Sequence, residues 1–380
     1  MSLPSALSRN SAFALSRAPI AAFVAVGLTW GSIAALAPDL KARIGADDAT
    51  FGLLLLGTSI GLSTTLWAAP RWDRRMGGWA LPIGTLLLAV TALGPGWAAG
   101  PLSFFVAMAV LGAASGLTDV VMNARVSEIE LRAARSLMNL NHAMFSVAYA
   151  VSALLTGQLR EAGLTPDQIM PITAALVAAT ALLQRMPVAG GAEGPARSGR
   201  LPARLVAVAG GIVLIAFMTE ATVESWSALH IERTLGGRAV EGALGPAMLG
   251  LTMAVGRFSG QAVAARLSET RVIVWATGLA IVGILTAATA PVPALAYLGF
   301  GLTGLGISVI GPMGLALAGR LAPAGQRTGV IARVAIIGFL GFFIAPALMG
   351  LGAEALGLRA AFALVTVVLL GIWALLPLLR

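Results

Sequence analysis

Residues 205–228 read LVAVAGGIVLIAFMTEATVESWSA, an apolar run interrupted by two acids, Glu220 and Glu224. A helix that crosses a bilayer needs about 20 predominantly apolar residues, and this run supplies them. The acids stand at i and i+4, so one helix face carries both. An ionised side chain at the bilayer centre costs about 2.5–3.5 kcal/mol on insertion scales. Acids in such a place therefore belong against a cavity or a partner, which makes them functional candidates. Trp226 follows, either as an aromatic wall of a site or as a member of the aromatic belt at the membrane surface.

The pattern repeats outward. Twelve apolar stretches are read at 18–38, 51–69, 79–98, 102–124, 137–158, 168–184, 205–228, 243–264, 272–290, 294–318, 328–350 and 358–378. They are too long for strands and too rich in Ala, Leu and Gly. Composition agrees: of 380 residues, 58% are hydrophobic and only 11% charged, and the mean hydropathy is +0.90. A soluble domain carries about 25% charged residues, so a water-soluble globule is excluded. The apolar stretch after Arg17 is too long for a signal-peptide core and reads as a retained first span.

The chain has no Cys, which removes disulfides, thiolate metal sites and Cys nucleophiles. Its two His are His142 and His230, and Lys41 is its one Lys. Lys41 follows no glycine-rich run, so no P-loop is present. The formal charge of +9 is distributed rather than gathered. With the N-terminus inside, 19 basic residues fall on inner segments and 6 on outer ones, which predicts cytoplasmic termini. Because the Arg are spread over separate loops, nucleic acid is not an expected partner.

The longest polar interruption, 185–204, holds Pro187, Gly190, Gly191, Gly194, Pro195, Gly199 and Pro202 with four Arg, a composition suited to a solvated linker. It divides the chain into a six-helix bundle at 1–184 and another at 205–380. The halves echo each other. Gly52, Gly57 and Gly61 in the second span have the spacing of Gly245, Gly250 and Ala254 in the eighth. Such a repeat marks two-bundle secondary transporters. Two other patterns are set aside. Gly57-Thr58-Ser59-Ile60-Gly61 fits a nucleophile elbow but lies within an apolar helix. Gly112 and Gly116 fit a dimer motif but suit packing inside a bundle.

With twelve spans in two sixes, a central linker and the turn Arg71-Trp72-Asp73-Arg74-Arg75-Met76-Gly77-Gly78, the chain resembles the major facilitator superfamily. The family's turn reads roughly Gly-x3-Asp-Arg-x-Gly-Arg-Arg. Asp73-Arg74 match its Asp-Arg, whereas the glycine comes one place late and the Arg pair precedes it. The resemblance implies a gating role for Asp73 and Arg74. A closer likeness is to the fucose-permease-like branch, through Gly31-Ser32, Pro38-Asp39-Leu40-Lys41, Gly112-x3-Gly116-Leu117-Thr118-Asp119-x3-Asn123-Ala124 and Asn141-His142-Ala143-Met144-Phe145-Ser146. In sugar–proton symporters of that branch the fourth span carries an acid followed four places on by Asn. The likeness implies a proton-coupled, sugar-binding role for Asp119 with Asn123, although Asp stands where Glu is usual.

The remaining candidates come from the residues themselves. Asn139, His142 and Ser146 share a face at the start of span five; imidazole can relay protons or bond a solute hydroxyl, or simply pack. Glu220 reads as a second protonation site and Glu224 as a substrate contact or an interfacial group. Arg257, within Gly256-Arg257-Phe258-Ser259-Gly260-Gln261, reads as a gating residue that pairs with a carboxylate or snorkels to the surface. These residues fall on spans 4, 5, 7 and 8, which line the cavity in the family. Glycines and prolines in spans 10 and 11, Pro312 and Pro346 among them, suit bending or close packing.

The reading is an all-α membrane protein of the major facilitator fold. It is a secondary active transporter, not an enzyme, that moves a small polar organic solute, sugar-like or an organic acid, by alternating access. The proton is the expected coupling ion, the lipid bilayer the surroundings, and a monomer the expected state. No cofactor or metal is expected. The Arg- and Ala-rich composition suggests a bacterial inner membrane. Export of amphipathic drugs and a non-transporting sensor are the alternatives.

Overall fold

The computed structural model describes residues 11–187, 201–264, 267–323 and 326–379. Most of the expected linker, 188–200, lies outside the described residues, as do Arg9, Arg197, Arg200, Arg266 and Arg380. Among the described residues there is no strand, and twelve helices have 15 residues or more. They are α1 (Arg17–Arg43), α2 (Leu56–Met76), α3 (Ala80–Trp97), α4 (Pro101–Ala133), α5 (Met138–Glu161), α6 (Pro166–Thr180), α7 (Ala203–Leu229), α8 (Ala239–Ala264), α9 (Glu269–Thr289), α10 (Pro293–Leu321), α11 (Arg327–Leu356) and α12 (Leu358–Leu375).

Local chemistry sets several boundaries. Pro101, Pro166 and Pro293 open α4, α6 and α10, where a missing N–H costs no helical bond. The Thr165 N–H donates to Gln168 Oε1 at 3.1 Å, half of a capping box. The turn from α4 to α5 is closed by Glu130, whose carboxylate accepts the N–H of Leu137 and, at 2.8 Å, that of Met138.

Two features differ from the apolar limits read in the sequence. First, α1 and α4 run well past 38 and 124, to Arg43 and Ala133. Hydropathy falls there but helix propensity does not, because Ala, Arg, Glu and Leu continue. Second, ten helical stretches among the described residues are long and apolar enough to cross a membrane. Helix α5 is not among them, and α2 enters only from Ala68, in a stretch that continues through α3. These are the hydroxyl- and amide-rich helices. In α2 the side chains of Ser63, Thr64 and Thr65 donate to carbonyls of their own helix at 2.9, 2.6 and 2.6 Å, so a helix with polar side chains still leaves few groups unsatisfied.

By contact the chain divides into two compact units. One holds the described residues of Met1–Gly45 and Leu54–Ala192, the other those of Ala46–Leu53 and Glu193–Arg380. Inside the first, α1 packs on α5, α2 on α4 and α3 on α6. Inside the second the pairs are α7 with α11, α8 with α10 and α9 with α12. Each pair in one unit has a counterpart six helices later, so the echo between the halves is one of packing order as well as of glycines.

Close approach explains the glycines where α2 crosses α4. A Cβ on Gly61 would lie 1.8 Å from the Ala109 carbonyl oxygen, and one on Gly112 would lie 2.1 Å from that of Thr58. The α2–α4 crossing is thus backbone against backbone, as small residues allow in membranes. Large apolar side chains point outward on α3, α6, α9 and α12: Val90 is 65% exposed, Leu176 46%, Trp275 76% and Val367 63%. In water such faces would be costly, whereas lipid accommodates them.

Candidate functional site

In the first unit the polar centre is built on α4. Ser115, Asp119 and Asn123 are spaced one turn apart, so they share a face. Trp30 of α1 donates its indole N–H to Ser115 Oγ at 3.0 Å. Asn123 Nδ2 donates to the Asp119 carbonyl oxygen at 2.8 Å and to its Oδ1 at 3.2 Å. Asp119 is half-buried. The sequence pairing of Asp119 with Asn123 is therefore a direct contact, with the amide holding the carboxylate.

The α5 candidates divide into structural and open groups. Asn141 is buried, and its amide donates to Ser16 Oγ at 2.7 Å and to the Leu137 carbonyl at 2.8 Å, which ties the start of α5 to the start of α1. Ser146 is buried, and its hydroxyl donates to the His142 carbonyl at 3.1 Å. His142 is half-buried and meets Phe23 edge-on, with ring centroids 4.8 Å apart. Asn139 is half-buried at the first turn of α5.

Asp73 ion-pairs with Arg125 of α4, whose side chain is 1% exposed and which also reaches Glu128 at 3.0 Å. Arg74, expected to share the gating role, is exposed. Arg125 carries the inward contact; it lies just beyond the apolar stretch read as 102–124, and α4 continues through it. Arg160 lies just beyond the apolar stretch read as 137–158. The structure buries it in α5, with its guanidinium bidentate on Asp39 at 2.7 Å for both contacts and on the Ala35 carbonyl at 2.8 Å. Partners 121 residues apart leave no local signature. Only the type of residue, an Asp within a helix that must find a cation, hints at the pair.

In the second unit Glu220 of α7 and Arg257 of α8 form an ion pair, NH2 to Oε1 at 3.2 Å, with side chains 8% and 14% exposed. Of the two arrangements read for Arg257, the structure shows the pair with a carboxylate. Glu224 lies one turn along, half-buried, and interacts electrostatically with both Glu220 and Arg257. Two acids thus share one cation. The side chain of Gln261 lies outside the described residues.

Trp226 is corrected on both readings. It is fully buried, so it neither joins an aromatic belt nor walls an open site; it packs edge-on to Phe51, with centroids 5.9 Å apart. Asp48, in the same unit, ion-pairs with Arg233, and its N–H donates to Glu354 at 3.0 Å. His230 is also fully buried. It bonds the Ala287 carbonyl at 3.0 Å and has the rings of Phe300 and Phe362 against it. Among the described residues no group of three or more His, Asp or Glu is placed to hold a metal ion.

Comparison with known proteins follows the same lines. The family model of the Major Facilitator Superfamily matches residues 209–380. An uncharacterized MFS-type transporter of Yersinia pestis is 29% identical over 366 residues, which cover 93% of this chain and 92% of that protein. Membrane protein MosC of Rhizobium meliloti is 26% identical, over 88% of this chain and 83% of its own. Among solved structures, the nucleoside transporter NupG matches with a TM-score of 0.71 at 14% identity, covering 96% of this chain and 99% of that one. A D-xylose–proton symporter matches with a TM-score of 0.72, also at 14%, covering 97% and 98%. At such identities the structures speak for the fold alone.

Proposed function

We propose that this chain is a member of the Major Facilitator Superfamily, whose family model matches residues 209–380, and a secondary active transporter that couples movement of a small polar organic solute to protons. The observation that carries the reading is the pair of carboxylate centres on helices that cross the membrane: Asp119 held by Asn123, and Glu220 with Glu224 around Arg257. A carboxylate in such surroundings can take up and release a proton, because burial penalises its charged form and a cation or amide restores it. Two acids facing one arginine leave a carboxylate in excess of the available positive charge, and that acid is free to carry a proton while its neighbour stays paired. The two units then act as bundles that expose a midplane site alternately to either side.

A sugar-like or organic-acid solute fits the amide, imidazole and carboxylate groups of Asn123, Asn139, His142 and Glu224, and the likeness to the fucose-permease-like branch supports the same class. The NupG and D-xylose neighbours are named for nucleoside and sugar–proton transport, and both solutes are polyhydroxylated. Asp73 with Arg125 serves as a gating pair at the inner end. The positive-inside distribution supports a bacterial inner-membrane location with both termini on the cytoplasmic side.

The test begins with a thermal-shift panel of sugars, nucleosides and small organic acids, since a bound solute raises apparent stability by mass action. With the solute identified, counterflow in proteoliposomes should survive in Asp119→Asn and Glu220→Gln, while accumulation driven by a pH gradient should fall about tenfold or more, the loss of roughly 1.4 kcal/mol of coupling. Unchanged accumulation in both variants would remove the carboxylate reading.

One observation favours a second reading. Phe217 of α7 and Phe339 and Phe342 of α11 form a phenylalanine cluster with centroids 5.1 to 6.4 Å apart, the kind of surface an amphipathic drug would need. Export of a fluorescent dye, unaffected by sugars and lost in Phe217→Ala, would favour it.

A further inference from the structure

At one end of the first unit the residues just before α3 and those that follow α6 frame a notch of about 480 Å³, lined by Gly78, Trp79, Arg185, Met186 and Pro187. The guanidinium of Arg185 lies 4.7 Å over the Trp79 ring, a cation–π contact. Trp79 remains 50% exposed and Arg185 is exposed, so both present free surface. The support beneath them is fixed. A Cβ on Gly78 would meet the Met186 carbonyl oxygen at 2.5 Å, so only glycine lets the two segments approach. Gln184 is fully buried; it accepts from Thr85 at 2.7 Å and donates to Thr180 at 3.1 Å, which anchors the residue before Arg185. Trp72 donates to the Ala80 carbonyl at 3.2 Å and pins the other side.

Charge and apolar surface meet at this notch. The adjoining turn carries Arg71, Arg74 and Arg75, and its one acid, Asp73, is occupied by Arg125. The helices that run from the notch have outward apolar faces: Leu86, Leu87 and Val90 on α3, and Leu182 and Leu183 at the end of the α6 segment. A cation held at the level of an exposed Trp, above two apolar helix faces, has the polarity profile of one phospholipid molecule, headgroup to acyl chain.

We propose that this notch binds an anionic phospholipid, with Arg185 on the headgroup phosphodiester, Trp79 at the glycerol level and the acyl chains along α3 and α6. This assignment does not depend on what the protein transports.

Native mass spectrometry of the detergent-purified full chain, titrated with phosphatidylglycerol, tests it. Arg185→Gln weakens binding of one phosphatidylglycerol about fivefold, the share of one basic residue at a membrane surface, and Trp79→Leu weakens it as well. Arg185→Lys retains most of the binding, and Arg271→Gln, exposed in the other unit, binds like the parent. Both notch residues are exposed, so the variants should fold, and a monodisperse elution profile checks this. Equal phosphatidylglycerol binding by parent, Arg185→Gln and Trp79→Leu would overturn the proposal. So would equal binding of phosphatidylethanolamine, which lacks the net charge, or displacement of the lipid by inorganic phosphate at equal concentration, which would make the site one for a free oxyanion.

Discussion

Arg160 and Arg257 show how differently one residue type is used within one molecule. The Arg160 side chain is 2% exposed, and its fork is filled by both Asp39 oxygens and a carbonyl. The pair therefore ties α1 to α5. Arg257 meets Glu220 at 3.2 Å with Glu224 one turn along, so two acids lie within its electrostatic reach. Removal of one member of a buried pair costs about 3–5 kcal/mol. Arg160→Ala should therefore lower thermal stability in detergent strongly, whereas Arg238→Ala, 68% exposed in a local pair with Glu241, should shift it by no more than about 0.5 kcal/mol. A thermal-unfolding series on the two variants checks this; equal stability would mean that Asp39 and Arg160 do not brace the unit. The sequence made Asp119 and Glu220 visible, because a charge in an apolar run is conspicuous by itself. It hid Arg125 and Arg160, because an arginine near the end of such a run looks like any other loop arginine until its distant partner is known.

At the scale of the helix, apolar length located all twelve elements but could not report their surroundings. Helices α2 and α5 are the polar ones, and their hydroxyls and amides bond within the unit rather than to lipid. Trp226 illustrates the limit. Its place near the end of an apolar run suggested the membrane surface, but α7 continues to Leu229 and buries the ring. The glycines at 112 and 116 were legible as packing residues because they recur at helical spacing in an apolar context, whereas Gly57 and Gly61 were legible only as part of the echo between the halves. Their consequence is steep. Gly61→Leu places a side chain where the Ala109 carbonyl already lies, so this variant should give little monodisperse protein. Gly100→Ala, with open space around it, should purify like the parent. Comparable yields from both would show that the α2–α4 crossing is looser than these distances imply.

At the scale of the whole molecule the repeat is the organising fact. The pairs α1–α5, α2–α4 and α3–α6 recur as α7–α11, α8–α10 and α9–α12, and each unit carries its own carboxylate centre. If the units are separate bundles joined by a solvated linker, residues 1–190 and 196–380 expressed as two chains in one cell should assemble and bind solute. Failure to recover both chains together would argue for one continuous fold. The most direct test of the central claim is solute-induced proton uptake into proteoliposomes, read with a trapped pH dye after addition of the solute that the thermal-shift panel identifies. The account predicts acidification of the lumen with the parent protein and its loss in the Asp119→Asn, Glu220→Gln double variant while counterflow persists. Solute entry without any pH change in the parent, or the same pH change in the double variant, would contradict it.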